Sequence, residues 1–278
     1  MPVDQRQVQL TFQRLDRQLR KTSDDPAPEN IHHLRTNIRR IEALLDSFVP
    51  EPSGNQKKLL KSLGRLRKKA GRIRDLDVHI AALDDLKIDR DGDRKAELVR
   101  SLAEQRAATQ KKLTKALRRD EVEEVRKRLK RASATPIKVD PVELALSKLS
   151  DLRSEDSKVT EASLHQHRIA AKRARYIAEF AGNDPQAKRL IEALTRMQDV
   201  IGDWHDWLTL AQKTQELLAG PEYSPLLATL RRITAAKYRS AINALSETRT
   251  TVAELAAARK PPRREPAVSA NRAVSAVA

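Results

Sequence analysis

The chain has 278 residues with 55 Lys+Arg against 38 Asp+Glu, a formal charge of +17. That is length for one large domain or two small ones, and a bias towards anionic partners, because a field of one sign concentrates counter-charge. The absence of cysteine excludes disulfides, thiolate catalysis and Cys-based zinc sites, and no stretch reaches the ~18 apolar residues of a membrane span.

The first residues, MPVDQRQVQLTFQRLD, contain no apolar core of a secretory signal, so a cytoplasmic location is expected. With two Trp, three Tyr and three Phe, the core must come from Leu, Ile, Val and Ala. Seven Gly and no alternating apolar pattern point to an all-α chain.

In chain order, 3.6-residue periodicity predicts helices at about 4–20, 30–48, 55–84, 94–119, 121–132, 141–150, 161–181, 186–218 and 224–257. Pro and polar clusters mark breaks at 22–30 (TSDDPAPEN), 49–55 (VPEPSGN), 84–93, 133–141 (SATPIKVDP), 182–185 and 220–225. Asn30 is a cap candidate for the second helix; Asp140 and Ser224 each precede a proline at a first-turn position. Residues 260–278 have no periodic apolar face and read as a disordered tail.

The second helix carries a cationic signature, H-x-x-R-x-x-x-[RK]-R, as His32, Arg35, Arg39 and Arg40. The seventh carries it again as His165, Arg168, Lys172 and Arg173. At about 100° per residue the His, the Arg three on and the base seven on fall within roughly 60° of one another, while the last base lies about 80° from the His. Leu34, Ile38, Ile41 and Leu45 in the first copy, and Ile169, Ala174, Ile177 and Phe180 in the second, are expected to face away.

The copies repeat at an offset of 133, and Gly71-Arg72-Ile73-Arg74-Asp75 repeats as Gly202-Asp203-Trp204-His205-Asp206 at 131. Two nearly equal offsets imply a duplicated helical unit, and short connections make each half a candidate four-helix bundle. Between the signatures, 57–74 has nine bases (57, 58, 61, 65, 67, 68, 69, 72 and 74) and no acid. Its apolar residues Leu59, Leu60, Leu63, Leu66, Ala70 and Ile73 supply a buried face, so the bases must meet solvent or anions.

These motifs resemble the CHAD (conserved histidine α-helical domain) family. The second copy follows its pattern at His165, Arg168, Lys172, Arg173, Arg175, Tyr176 and Glu179, and departs at His167. The first follows at His32, Leu34, Arg35, Arg39 and Arg40, and departs at Glu42, where the family often has Arg. GRIRDLDV at 71–78 is similar to a further family element, with a counterpart at 202–206. The resemblance implies an all-α fold of two pseudo-symmetric antiparallel four-helix bundles with a central basic groove or pore. It implies binding of inorganic polyphosphate. The domain would span 1–257, with repeats at about 4–132 and 141–257, a linker at 133–140, and the tail at 258–278. Some family members carry an upstream triphosphate-tunnel domain beginning E-x-E-x-K; residues 121–125 (EVEEV) come nearest and lack the Lys, so the chain looks like a standalone member.

A phosphate chain needs several donors in a line, and the guanidinium fork binds two phosphate oxygens at once. The first-choice ligand groups are Arg35, Arg39, Arg40, Arg168, Lys172, Arg173 and Arg175. His32 and His165 are either further donors or neutral rings bonded to a neighbouring helix. Lys58, Lys61, Arg65, Lys68, Lys69 and Arg72 form a second rank. Asp75, Asp77 and Asp206 are expected to orient an Arg or cap a helix. No Gly-rich phosphate loop or nucleophile signature is present, so neither a catalytic residue, a metal nor a cofactor is expected. Granule-associated polyphosphate is the expected partner. A general polyanion or nucleic-acid binder is the alternative, disfavoured by the scarcity of stacking aromatics. A polyphosphate hydrolase is less favoured still, and the sequence leaves the oligomeric state open.

Overall fold

A computed structural model describes residues 2–88, 91–133, 137, 139–153, 159–217 and 224–259. Within these there is no strand, and the chain is all-α as expected. The helices are α1 (Gln5–Asp24), α2 (Pro28–Phe48), α3 (Gly54–Asp85), α4 (Gly92–Ala116), α5 (Arg119–Ala132), α6 (Pro141–Ser147), α7 (Glu161–Ala178), α8 (Pro185–Leu217) and α9 (Pro225–Ala258). Short 3-10 turns follow α6 at Asp151–Arg153 and α7 at Glu179–Ala181.

Side chains that accept the first free backbone N–H groups start most of these helices. Asp4 caps α1, Ser53 and Gln56 form a capping box on α3, and Thr160 does the same with Ser163 on α7. Asp140 and Ser224 cap α6 and α9, each followed by Pro in the first turn. Asn30 does not cap α2. That helix starts at Pro28 behind Ala27, and the Asn30 amide donates to the backbone and side chain of Asp25. The loop expected at 22–30 is therefore shorter, with α1 running to Asp24. The predicted helix at 141–150 ends at Ser147. The expected linker at 133–140 is described only in part, and 260–278 lie outside the described residues.

Gly182 makes the turn after α7 with φ 64°, where a Cβ would stand 2.6 Å from Asp4 Oδ2. Only glycine fits this close approach. It lets the Asp4 N–H reach the Phe180 carbonyl at 2.9 Å, docking the start of α1 on the far half of the chain.

α2 packs against α1, α3 and α7; α7 packs against α6, α8 and α2; and α3 also meets α8. The long α9 lies along α8, as α4 and α5 together lie along α3. The main apolar cluster is continuous across both halves, from Leu15 and Leu19 through Ile38, Leu63 and Ala171 to Leu194, Trp204 and Leu245. A smaller one joins Leu76, Leu83, Leu98 and Leu102 to Leu210, Leu226 and Leu230. Ile169 corrects the expectation for the second signature: it lies 100° from Arg168, outside the buried arc of Leu164, Ala171, Ala174 and Ile177, and is 50% exposed.

Candidate polyanion site

The α2/α7 contact brings the two signatures together. Arg35 lies against Gly71 of α3, where a Cβ would stand 3.7 Å from its Nε. Arg168 lies against Gly202 of α8 in the same way, at 3.6 Å from a guanidinium nitrogen. The repeated glycines leave room for a guanidinium on the helix surface, which explains their place in the repeat. The Nε atoms of Arg35, Arg39, Arg168 and Arg175 are all buried and have no hydrogen-bond partner. Arg175 lies over the Tyr176 ring, 4.8 Å from its centroid.

These cations repel one another. Burial, then Arg168, Arg39, Arg35 and Arg175, push the Lys172 ammonium down to about 7. Burial and then Arg35 push Arg39 down to about 10. Arg168 is lowered by burial first, opposed by Asp206 and lowered further by Arg35. Burial raises the Asp206 carboxyl, opposed by Arg168 and reinforced by Asp75. The two carboxylates therefore offset only part of the positive charge. Their expected role of orienting an Arg is matched in kind by Asp77, whose Oδ1 holds Arg106 Nε at 2.5 Å.

The histidines divide. His32 is exposed and is lowered by burial of part of its ring, then by Arg74. His165 is half-buried, 4.7 Å ring to ring from His205, and both Nδ1 atoms lack partners. Burial, then Arg168 and His165, pushes His205 down to about 4, while burial and Arg168 lower His165. His167, the departure from the family pattern, is buried; burial first and then Arg249 lower it, opposed by Asp151. Arg74 and His205 occupy corresponding positions (205 − 74 = 131), each beside a signature histidine. Both stood inside recognised motifs, but single-helix spacing could not show which neighbour they meet.

Arg40 and Arg173 are held by protein partners. Arg40 Nε meets Glu179 Oε2 at 2.6 Å, and Arg173 donates to Ser47 Oγ at 3.3 Å and to the Asp46 carbonyl at 3.4 Å. Asp46 and Glu179 are themselves corresponding positions (179 − 46 = 133), so the halves clamp each other reciprocally. Glu42 pairs with Arg67 at 2.6 Å, which removes one base of the 57–74 run from competition for a ligand.

Of the second rank, Lys61, Arg65 and Lys68 line a hollow of about 410 Å³ with Glu42, Asp46 and Arg67. Arg72 lines another with Lys112 and Lys213. Measured round α3 from Gly71, Lys58 and Lys69 lie at about 140° and 160°, on the far side from Arg35, whereas Arg67, Lys68 and Arg74 lie within about 60°. Among the described residues no group of three or more His, Asp or Glu is placed to hold a metal ion.

The fold and site define a helical domain whose two halves present matched cationic helices to each other. The sequence matches the model of the CHAD domain over residues 6–215, and the chain belongs to the CHAD family. The fold is similar to the crystal structure of the CHAD domain from the plant Ricinus communis, with TM-score 0.66 and 19% identity over 88% of this chain and 89% of that one. It is also similar to PptA from Streptomyces chartreusis, with TM-score 0.63 and 14% identity over 92% of this chain and all of that one (100%). No curated protein matches the sequence. The family match stops at 215, but α9 packs along α8 as far as Arg259, which bonds Gln186 Oε1 at 2.6 Å and Asp140 Oδ2 at 2.9 Å.

Proposed function

We propose that the chain binds inorganic polyphosphate, without turning it over, through the cations gathered at the α2/α7 contact. One observation carries this reading: Arg35 and its counterpart Arg168, with Arg39 and Arg175, have buried Nε groups without partners, and Lys172, the counterpart of Arg39, lies among them. Like charges cost roughly 4 kcal/mol per pair at 4 Å and an effective dielectric of 20, so the arrangement calls for a multivalent anion. A phosphate chain supplies charge at every unit and needs no stacking surface. The nearby aromatics offer none, since Tyr176 is buried against Arg40 and Arg175 and Trp204 is buried in the core. We read the two halves as paired bundles enclosing this site, in a cytoplasmic protein associated with polyphosphate granules.

Binding of long-chain polyphosphate, single-stranded DNA and duplex DNA at near-physiological salt tests the proposal, together with an assay of phosphate release in magnesium. Wild type should prefer polyphosphate, and Arg39→Glu with Lys172→Glu should weaken it by at least about 100-fold, or about 2.7 kcal/mol. Equal affinity for DNA would overturn the specificity, and turnover would overturn the non-catalytic reading.

A further inference from the structure

A second cluster of cations begins one residue beyond Gly71, in a hollow shared by α3, α4 and α8. This hollow of about 420 Å³ is walled by Arg72 and Asp75 of α3, by Gln105, Thr109 and Lys112 of α4, and by Lys213 of α8. Three helices thus each contribute one base. Neither Arg72 nor Lys112 has an ion-pair or hydrogen-bond partner among the described residues, and both are exposed. Asp75 is the one carboxylate in the wall, leaving three bases against one acid.

Lys213 is held in place from behind. Its Nζ approaches His79 Nδ1 at 3.5 Å, and His79 Nε2 lies 3.1 Å from Thr209 Oγ1. An ammonium can only donate, so Nδ1 accepts and the ring proton sits on Nε2, donating to Thr209. The Thr209 hydroxyl donates in turn to the His205 carbonyl at 2.9 Å. His79 is buried, and burial followed by Lys213 pushes it down to about 4, so the ring stays neutral and keeps this orientation.

We propose that this hollow is a flanking seat for condensed phosphate, holding the stretch of a long chain that leaves the α2/α7 cluster past Gly71. Arg72, Lys112 and Lys213 take the phosphate oxygens, and Gln105 and Thr109 are neutral donors beside them. The seat rests on the polyphosphate reading and adds to it a dependence on chain length. A short chain fills the central cluster alone, whereas a long one reaches both.

The test uses the full chain and two probes, tripolyphosphate and long-chain polyphosphate, with wild type, Arg72→Ala/Lys112→Ala, and a control, Lys127→Ala/Lys130→Ala, that removes two charges from α5. Circular dichroism confirms that each variant is folded. The seat predicts that the first variant weakens long-chain binding at least about tenfold while tripolyphosphate changes less than about twofold, and that the control leaves both affinities near wild type. Equal loss for both probes, equal loss in the control, or no loss at all would each overturn the seat. Wild type failing to bind either probe would instead sink the central reading, a result distinct from wild-type binding that the variant leaves intact.

Discussion

Lys172 ties the charge of the site to the pH of its surroundings. Its neighbours are Arg168 and Arg175 on its own helix and Arg35 and Arg39 on α2, with His205 and Asp206 facing it from α8. Without ligand its pKa is about 7. A bound phosphate favours the ammonium, so binding takes up a proton, and affinity should fall as pH rises from 6 to 8.5. Lys172→Met should flatten that profile, and comparing the two proteins cancels any titration of the phosphate ends. The same variant should be more stable near neutral pH. Between about 7 and the usual lysine value the unfolded chain binds more protons than the folded one, so the charged form is disfavoured in the fold and its removal helps. A gain of about 1 kcal/mol corresponds to a Tm rise of roughly 2–4 °C for a domain of this size. A pH profile unchanged by the substitution would sink this account. The signature histidines lie below their ordinary value, so their own protonation adds to binding only at more acid pH. The stripe itself was legible in the spacing. The partners of Arg40 and Arg173 were not, because they come from residues more than a hundred positions away and no single-helix pattern encodes such contacts.

At the scale of elements, α3 shows where periodicity stops short. Nine bases on 57–74 surround so much of the helix that charge alone gives no direction. Its buried leucines define the core side, but the ligand side becomes fixed only once Gly71 is seen against Arg35. That contact makes a graded prediction. An Ala Cβ at 71, 3.7 Å from Arg35 Nε, is in ordinary contact and replaces a helix-interior glycine. Gly71→Ala should therefore raise stability by up to about 1 kcal/mol with Kd within about twofold of wild type. Gly71→Leu should displace the guanidinium and weaken polyphosphate binding about tenfold, which titration of both variants checks. Caps with Pro behind them, at Asp140 and Ser224, were readable because their chemistry is local. The start of α2 was misread because Pro28 two residues earlier already supplies the first-turn geometry that Asn30 was expected to introduce.

For the whole molecule, continuity of the main apolar cluster matters more than the repeat. Leu34 and Leu63 share one core with Leu164 and Leu194, so neither half buries its apolar face alone. Denaturant unfolding followed by circular dichroism and by tryptophan fluorescence should give coincident transitions, and residues 1–133 expressed alone should not fold cooperatively. Two separated transitions would contradict this. The all-α class was evident from composition, since it depends only on helix-forming residues and the lack of alternation. The shared core was not, because periodicity says which face is apolar and not which helix covers it.

The reciprocal clamp of Arg40 with Glu179 and Arg173 with Asp46 has the form of the contact that two identical chains make about a twofold axis. In a true homodimer every change would appear on both sides at once. A single polypeptide carrying both sides is released from that constraint, and the divergence is already visible: Glu42 stands where the other half has Arg175, and Arg67 where it has Gln198. One wall of the site can therefore acquire new chemistry by mutation while the other preserves the inherited grip.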